Sequence, residues 1–333
     1  MNNDFSLQPD TPPTARLISP TQYNPPAPVR GRWIFENQIA ANIRGTYLLM
    51  LVFAFILTGV VWGVSKLESP QFATILACAA AAVAFFFSYY SFYHSDELVL
   101  GMSHARPATK EEFPTLINTL EGLTLAAGLP MVPSAYVIDD PAPNAFATGR
   151  DPTHAAVAVT TGLLNKLNRY QLEGVLAHEL SHVANRDILL STVAAIMVGA
   201  IVLLSDWALR SMWFGGGRRR DSRDSGGVNA ILMVVALIAI ILAPIIAQLM
   251  RLAISRRREY LADANAIKLT RYPEGLAGAL ETISHDEEPL AVANKATAHL
   301  FIANPLADHG GWLNNLFSTH PPIAERIARL HAM

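Results

Sequence analysis

The sequence predicts a mostly α membrane protein in which four transmembrane helices carry a smaller α+β domain. Hydrophobic residues make up 51% of the 333 positions and charged residues only 16%, where an ordinary globular domain has roughly 25% charged. Mean hydropathy is +0.28. Four apolar runs, at 47–65, 72–93, 188–209 and 228–250, are each long enough to cross a bilayer, which takes about 20 residues.

Residues 1–34 read as a disordered tail. Pro9, Pro12, Pro13, Pro20, Pro25, Pro26 and Pro28 crowd it, and it lacks apolar periodicity. No basic start runs directly into a short apolar core, so a secretory signal peptide is not expected. Residues 46–93 form a first transmembrane hairpin around the short link 66–71. The soluble stretch 94–187 follows. It contains an amphipathic helix over 111–127 closed by Gly128 and Pro130, β-type runs at 135–138 and 155–160, and helices over 161–167 and 169–186. Residues 188–250 form a second hairpin, joined by the Gly- and Arg-rich loop 210–227. Asp206, Pro244 and Gln248 interrupt it, so helices buried in protein are the competing reading there. The last part, 251–333, is helical and broken by Pro273, Pro289, Pro305, Pro321 and Pro322.

Flanking basic residues set the orientation. Arg16, Arg30, Arg32 and Arg44 precede the first run, and Arg251, Arg256, Arg257 and Arg258 follow the fourth. An even number of crossings puts both groups on one side, expected to be cytoplasmic. Arg218, Arg219, Arg220 and Arg223 oppose this, and a shallow second hairpin would resolve the conflict. The net charge of −2 gives no reason to expect nucleic acid as a partner. Cys78 is the only cysteine, which excludes an intrachain disulfide and any multi-cysteine metal or redox centre. Its Ala-rich surroundings predict a small buried hydrophobe.

His178-Glu179-Leu180-Ser181-His182 matches H-E-x-x-H, a pattern short enough to need supporting context. Asn168 with Gln171 reads as a capping box, and Leu172, Val175, Leu176, Leu180 and Val183 recur at helical spacing. On such a helix His178 and His182 lie one turn apart on one face. Two imidazoles so placed can hold Zn²⁺ with Glu179 beside the open position. Zinc lowers the pKa of a bound water to roughly 7, within reach of a neighbouring carboxylate.

Catalytic zinc usually takes three protein ligands. Glu259 is the best candidate for the third, with Asp263 one turn on to orient a ligand histidine. The plainer alternative is an exposed acidic turn paired with Arg256–Arg258. Spacing favours the metal. His182 precedes the third run by 6 residues (188 − 182) and Glu259 follows the fourth by 9 (259 − 250). On continuous helices these are about 9 Å and about 13 Å, so both would reach one membrane face, within about 10–15 Å of the bilayer. The soluble part is therefore expected to be a zincin-type domain of the gluzincin kind, with one Zn²⁺ per chain.

The chain resembles the HtpX-type membrane metallopeptidases (heat-shock protein X homologues), themselves related to the CAAX prenyl endopeptidases. The resemblance spans about 35–330. It rests on Asn37-Gln38-Ile39, on Pro143-Asn144-Ala145-Phe146-Ala147-Thr148-Gly149, on the His178–His182 motif, on Arg258-Glu259-Tyr260-x-Ala262-Asp263, and on Thr319-His320-Pro321-Pro322-x-x-x-Arg326. It implies a zinc endopeptidase of the cytoplasmic (inner) membrane whose catalytic domain faces the cytoplasm. Such enzymes serve proteolytic quality control, so misfolded or damaged membrane proteins and unfolded polypeptides are the expected substrates. By the same resemblance His178, His182 and Glu259 bind zinc, Glu179 is the general base and His320 stabilises the oxyanion. Arg326 then pairs with the supporting acids, and Asn144, Ala145 and Phe146 belong to an edge strand lining the substrate cleft. A processing peptidase for one dedicated substrate and a non-catalytic membrane scaffold are the alternatives; the intact Glu179 argues against the scaffold. The remaining histidines, His299 among them, show no ligand spacing and receive no role.

Overall fold

A computed structural model describes residues 31–68, 70–200, 256–286, 288–290, 297–303 and 321–333. Residues 1–30, the end of the third apolar run, the loop 210–227, the fourth run and His320 lie outside the described residues.

Helix α1 (Gly31–Glu68) and helix α2 (Ala73–Tyr93) form the first hairpin. Helix α1 begins inside the 1–34 segment assigned to the tail. Among the described residues these are the two helices long and apolar enough to cross a membrane, and only 18% and 17% of their apolar windows is covered by protein. Helix α2 turns its small residues Ala73, Ala77, Ala84, Ser88 and Ser91 inward, the side chains that let two membrane helices approach closely. Large side chains such as Phe55, Ile75 and Phe86 point outward. Cys78 is exposed on α2, contrary to the buried position expected. In a run that is apolar all round, hydropathy cannot tell the lipid-facing side from the packed side.

Helix α3 (Ser95–Met102) leads into a four-stranded sheet of β1 (Arg106–Pro107), β2 (Ser134–Ile138), β3 (Ala145–Asp151) and β4 (His154–Thr160), in the order β1-β2-β4-β3. Strand β2 runs parallel to β4 and β3 antiparallel to it, leaving β3 at the edge. Helix α4 (Pro114–Ala127) starts three residues later than expected, because Pro114 occupies a first-turn position where its missing N–H costs nothing. It closes on Gly128 with φ +66°, a left-handed cap that glycine adopts freely. Helices α5 (Thr161–Lys166) and α6 (Arg169–Ala184) follow. Leu116, Val157, Val175, Leu176, Leu180 and Leu280 lie in one core that joins α4, the sheet, α6 and α9 (Pro273–Ser284). Gly174 lets α6 and α9 touch: a Cβ there would sit 2.7 Å from the Leu276 backbone nitrogen. Helix α8 (Arg256–Thr270), a 3₁₀ turn (Ala298–Leu300) and α10 (Ile323–His331) complete the described chain.

The path from the motif helix into the third apolar run is not continuous. Helix α6 ends at Ala184, Arg186 takes φ +55°, and α7 (Asp187–Ala200) leaves at 87°. The 9 Å rise expected along one straight helix therefore does not apply. The described part of α7 is also covered by protein on two sides. Val193 and Met197 pack with Leu49 and Phe53 of α1, and Ala195 and Ile196 with Val99 and Phe146. Helix α7 thus ties helix α1 to α3 and the sheet.

Candidate metal centre

The capping box is present. The Asn168 side chain accepts from the Gln171 backbone N–H at 3.0 Å, and the Gln171 side chain accepts from that of Asn168 at 2.9 Å. With α6 started there, its apolar positions fill the core and His178 and His182 share the remaining face. Helix α8 packs across it and contributes Glu259 and Asp263, one turn apart and 3% and 2% exposed, so the exposed acidic turn is excluded. His178 Nε2 and His182 Nε2 lie 3.2 Å apart. Glu259 Oε2 is 3.8 Å from the first and Oε1 is 3.5 Å from the second.

These distances fit a metal ion. Tetrahedral bonds of 2.0–2.1 Å place ligand atoms about 3.4 Å from one another. His178 Nδ1 faces Asp263 Oδ1 at 2.9 Å and His182 Nδ1 faces Asp187 Oδ2 at 3.2 Å, which fixes both rings with Nε2 toward the centre. Two imidazole nitrogens and a carboxylate converge on one buried point, an arrangement that a cation between them stabilises.

The charges are consistent with this. Burial disfavours the ionised form of Asp263, but the His178 hydrogen bond and the Arg326 charge outweigh it and hold its pKa at about 2. Burial also opposes a charged His182, yet the Asp187 hydrogen bond and the Glu259 charge raise its pKa to about 9. A metal ion must displace that proton, so binding weakens as pH falls. Glu179, 2% exposed, lines a cavity of about 40 Å³ with Ala147, His182, Ser191, Glu259 and His299, room for a water molecule.

Residues 110–333 match the sequence pattern of peptidase family M48. The chain belongs to this family. It is similar to the Protease HtpX homolog of Dictyoglomus thermophilum, with 50% identity over 300 residues that cover 90% of this chain and 95% of that one. The Protease HtpX homolog of Caldanaerobacter subterraneus is 46% identical over 312 residues, covering 91% and 98%. The crystal structure of S. mikatae Ste24p is similar at 19% identity and a TM-score of 0.45, over 90% of this chain and 66% of that chain. As an M48 peptidase with apolar anchoring helices, the chain is a membrane metalloprotease.

In this M48 peptidase Arg326 is wholly buried and grips Asp263 with two hydrogen bonds, of 3.0 and 2.7 Å, while donating to the Ile302 carbonyl at 3.2 Å. The edge strand holds a partner from its own chain. Asn144 brackets Ala303, donating to its carbonyl at 3.0 Å and accepting from its N–H at 3.4 Å. Ile302 N–H donates to the Ala145 carbonyl at 2.9 Å, and Phe146 stacks edge-on against Phe301 at 5.0 Å. Asn144, Ala145 and Phe146 are therefore buried behind 301–303. The β3 residue that reaches the cavity wall is Ala147. His299, given no role by the sequence, is buried in the same wall with Nε2 3.1 Å from the Ser191 carbonyl. No local spacing marks it, because its partner lies on another helix.

Proposed function

We propose that this M48 peptidase is a gluzincin-type zinc endopeptidase of the cytoplasmic membrane, one Zn²⁺ per chain, that hydrolyses misfolded or damaged membrane proteins. The carrying observation is Glu179 buried in one cavity wall with His182 and Glu259, on a domain fastened to the apolar helix α1. His178, His182 and Glu259 would hold the ion, which when bound supplies Lewis acidity and lowers the pKa of a water to roughly 7. Glu179 takes that water's proton during attack on the peptide carbonyl and returns it to the leaving nitrogen. Asp263 and Asp187 keep the two imidazoles oriented, and Arg326 holds Asp263. His320 donates to the developing oxyanion. A substrate strand pairs with the edge of β3 from Ala147 onward, through backbone groups that carry no sequence code, while Asn144, Ala145 and Phe146 support that edge. Such recognition suits unfolded polypeptides of any sequence.

The test is casein cleavage by the detergent-solubilised protein. Proteolysis that a chelator stops, zinc restores and product mapping shows at many unrelated bonds is expected. One unique cut favours the dedicated processing peptidase, and no cut favours the scaffold. Asp263→Asn should lower zinc affinity by about 10–100-fold, as losses of ligand-orienting groups do. A wild-type dissociation constant in chelator competition contradicts that role. Orientation is tested at Asn118, exposed on α4. In a Cys78→Ser background, Asn118→Cys is expected to resist an impermeant thiol reagent in intact cells and to label after lysis. Labelling in intact cells overturns the cytoplasmic assignment.

A further inference from the structure

We propose that Asn42, on the membrane helix α1, is a positioning residue for the metal centre, which it serves by fixing the Asp187 carboxylate against His182. The inference rests on the reading that His182 holds the metal. Asn42 lies in the apolar window Ile39–Gly63 yet is only 5% exposed. A buried polar side chain must find its hydrogen bonds within the protein. Asn42 Nδ2 donates to Asp187 Oδ1 at 2.7 Å and to the Asn185 carbonyl at 3.3 Å, and its Oδ1 accepts from Arg258 Nη1 at 2.6 Å. The other Asp187 oxygen faces His182 Nδ1 at 3.2 Å. Arg258 directly precedes Glu259. One side chain of the anchor thus reaches the supports of two candidate ligands, which come from different helices.

The chemistry requires an amide. It presents a donor to a carboxylate and an acceptor to a guanidinium at once; aspartate would repel Asp187 and lysine would repel Arg258. Asp187 sits just past the break between α6 and α7, where helical geometry alone does not set its direction. The Arg258 guanidinium, 3.8 Å from Asp187 Oδ1, is beyond hydrogen-bonding reach and does not substitute for the Asn42 amide at that oxygen. The membrane helix therefore completes the metal site, as well as holding it near lipid.

Zinc dissociation constants of the full-length protein in detergent, measured by chelator competition, test this. Asn42→Ala and the near-isosteric Asn42→Asp should each weaken zinc binding about tenfold, the lower end of outer-shell effects. Leu49→Ala, which thins the α1–α7 packing away from the ring of hydrogen bonds, should lower thermal stability and leave zinc affinity unchanged. His182→Ala should lose zinc. Retained affinity in His182→Ala overturns the ligand assignment and the proposal with it. Loss there beside both Asn42 variants within twofold of wild type overturns the proposal alone. Equal weakening by Leu49→Ala does so too, reducing Asn42 to packing.

Discussion

Glu179→Gln is expected to leave the fold and the bound metal intact and to lower turnover by about 10²–10⁴-fold, the usual cost of losing a general base. Glutamine matches glutamate in size and hydrogen-bonding reach, so the buried cavity wall keeps its shape. It cannot accept a proton from water at neutral pH, and that is the one property the reaction takes from this side chain. The measurement is casein hydrolysis together with metal content, since a drop in both would reflect a damaged site. Wild-type turnover in the variant contradicts the assignment of the base.

Arg326→Met is expected to destabilise the protein by about 3–5 kcal/mol, the usual cost of removing one partner from a buried ion pair. Arg326 is fully buried, forks onto Asp263 and lies 3.6 Å from Glu259. With a divalent ion bound, the three carboxylates of Glu179, Glu259 and Asp263 face two charges of the metal and one of the guanidinium. Methionine fills most of the volume and leaves an uncompensated negative charge in the core. Arg326→Lys should recover only part of the loss, because a point charge cannot fork onto both Asp263 oxygens. Thermal unfolding measures both variants. A midpoint in Arg326→Met equal to that of the wild type contradicts the account of this pair.

The centre was legible in the sequence wherever local geometry decides it. The spacing of His178, Glu179 and His182, the Asn168–Gln171 box and the one-turn step from Glu259 to Asp263 are helix properties that hold in any surroundings. What tertiary contacts decide was not legible. The 87° break after Ala184 interrupts a stretch whose hydropathy runs on; beyond it Asp187 is held by His182 and Asn42, contacts that hydropathy does not record. Strand β3 escaped the alternation test because residues 145–149 are buried on both faces. Its pairing with 301–303, like the place of His299 in the cavity wall, joins parts of the chain more than a hundred residues apart. Asn42 was hidden in the opposite way, as one of several polar residues just before an apolar run.

X-ray absorption at the zinc edge of the purified full-length protein reads out the three-ligand centre itself. Three side chains and no thiolate predict one zinc per chain, with only nitrogen and oxygen neighbours at about 2.0–2.2 Å and an imidazole pattern from two rings. The same spectrum should vanish or change in Glu259→Ala. A sulfur neighbour, or an unchanged zinc site in Glu259→Ala, would contradict the centre built from His178, His182 and Glu259.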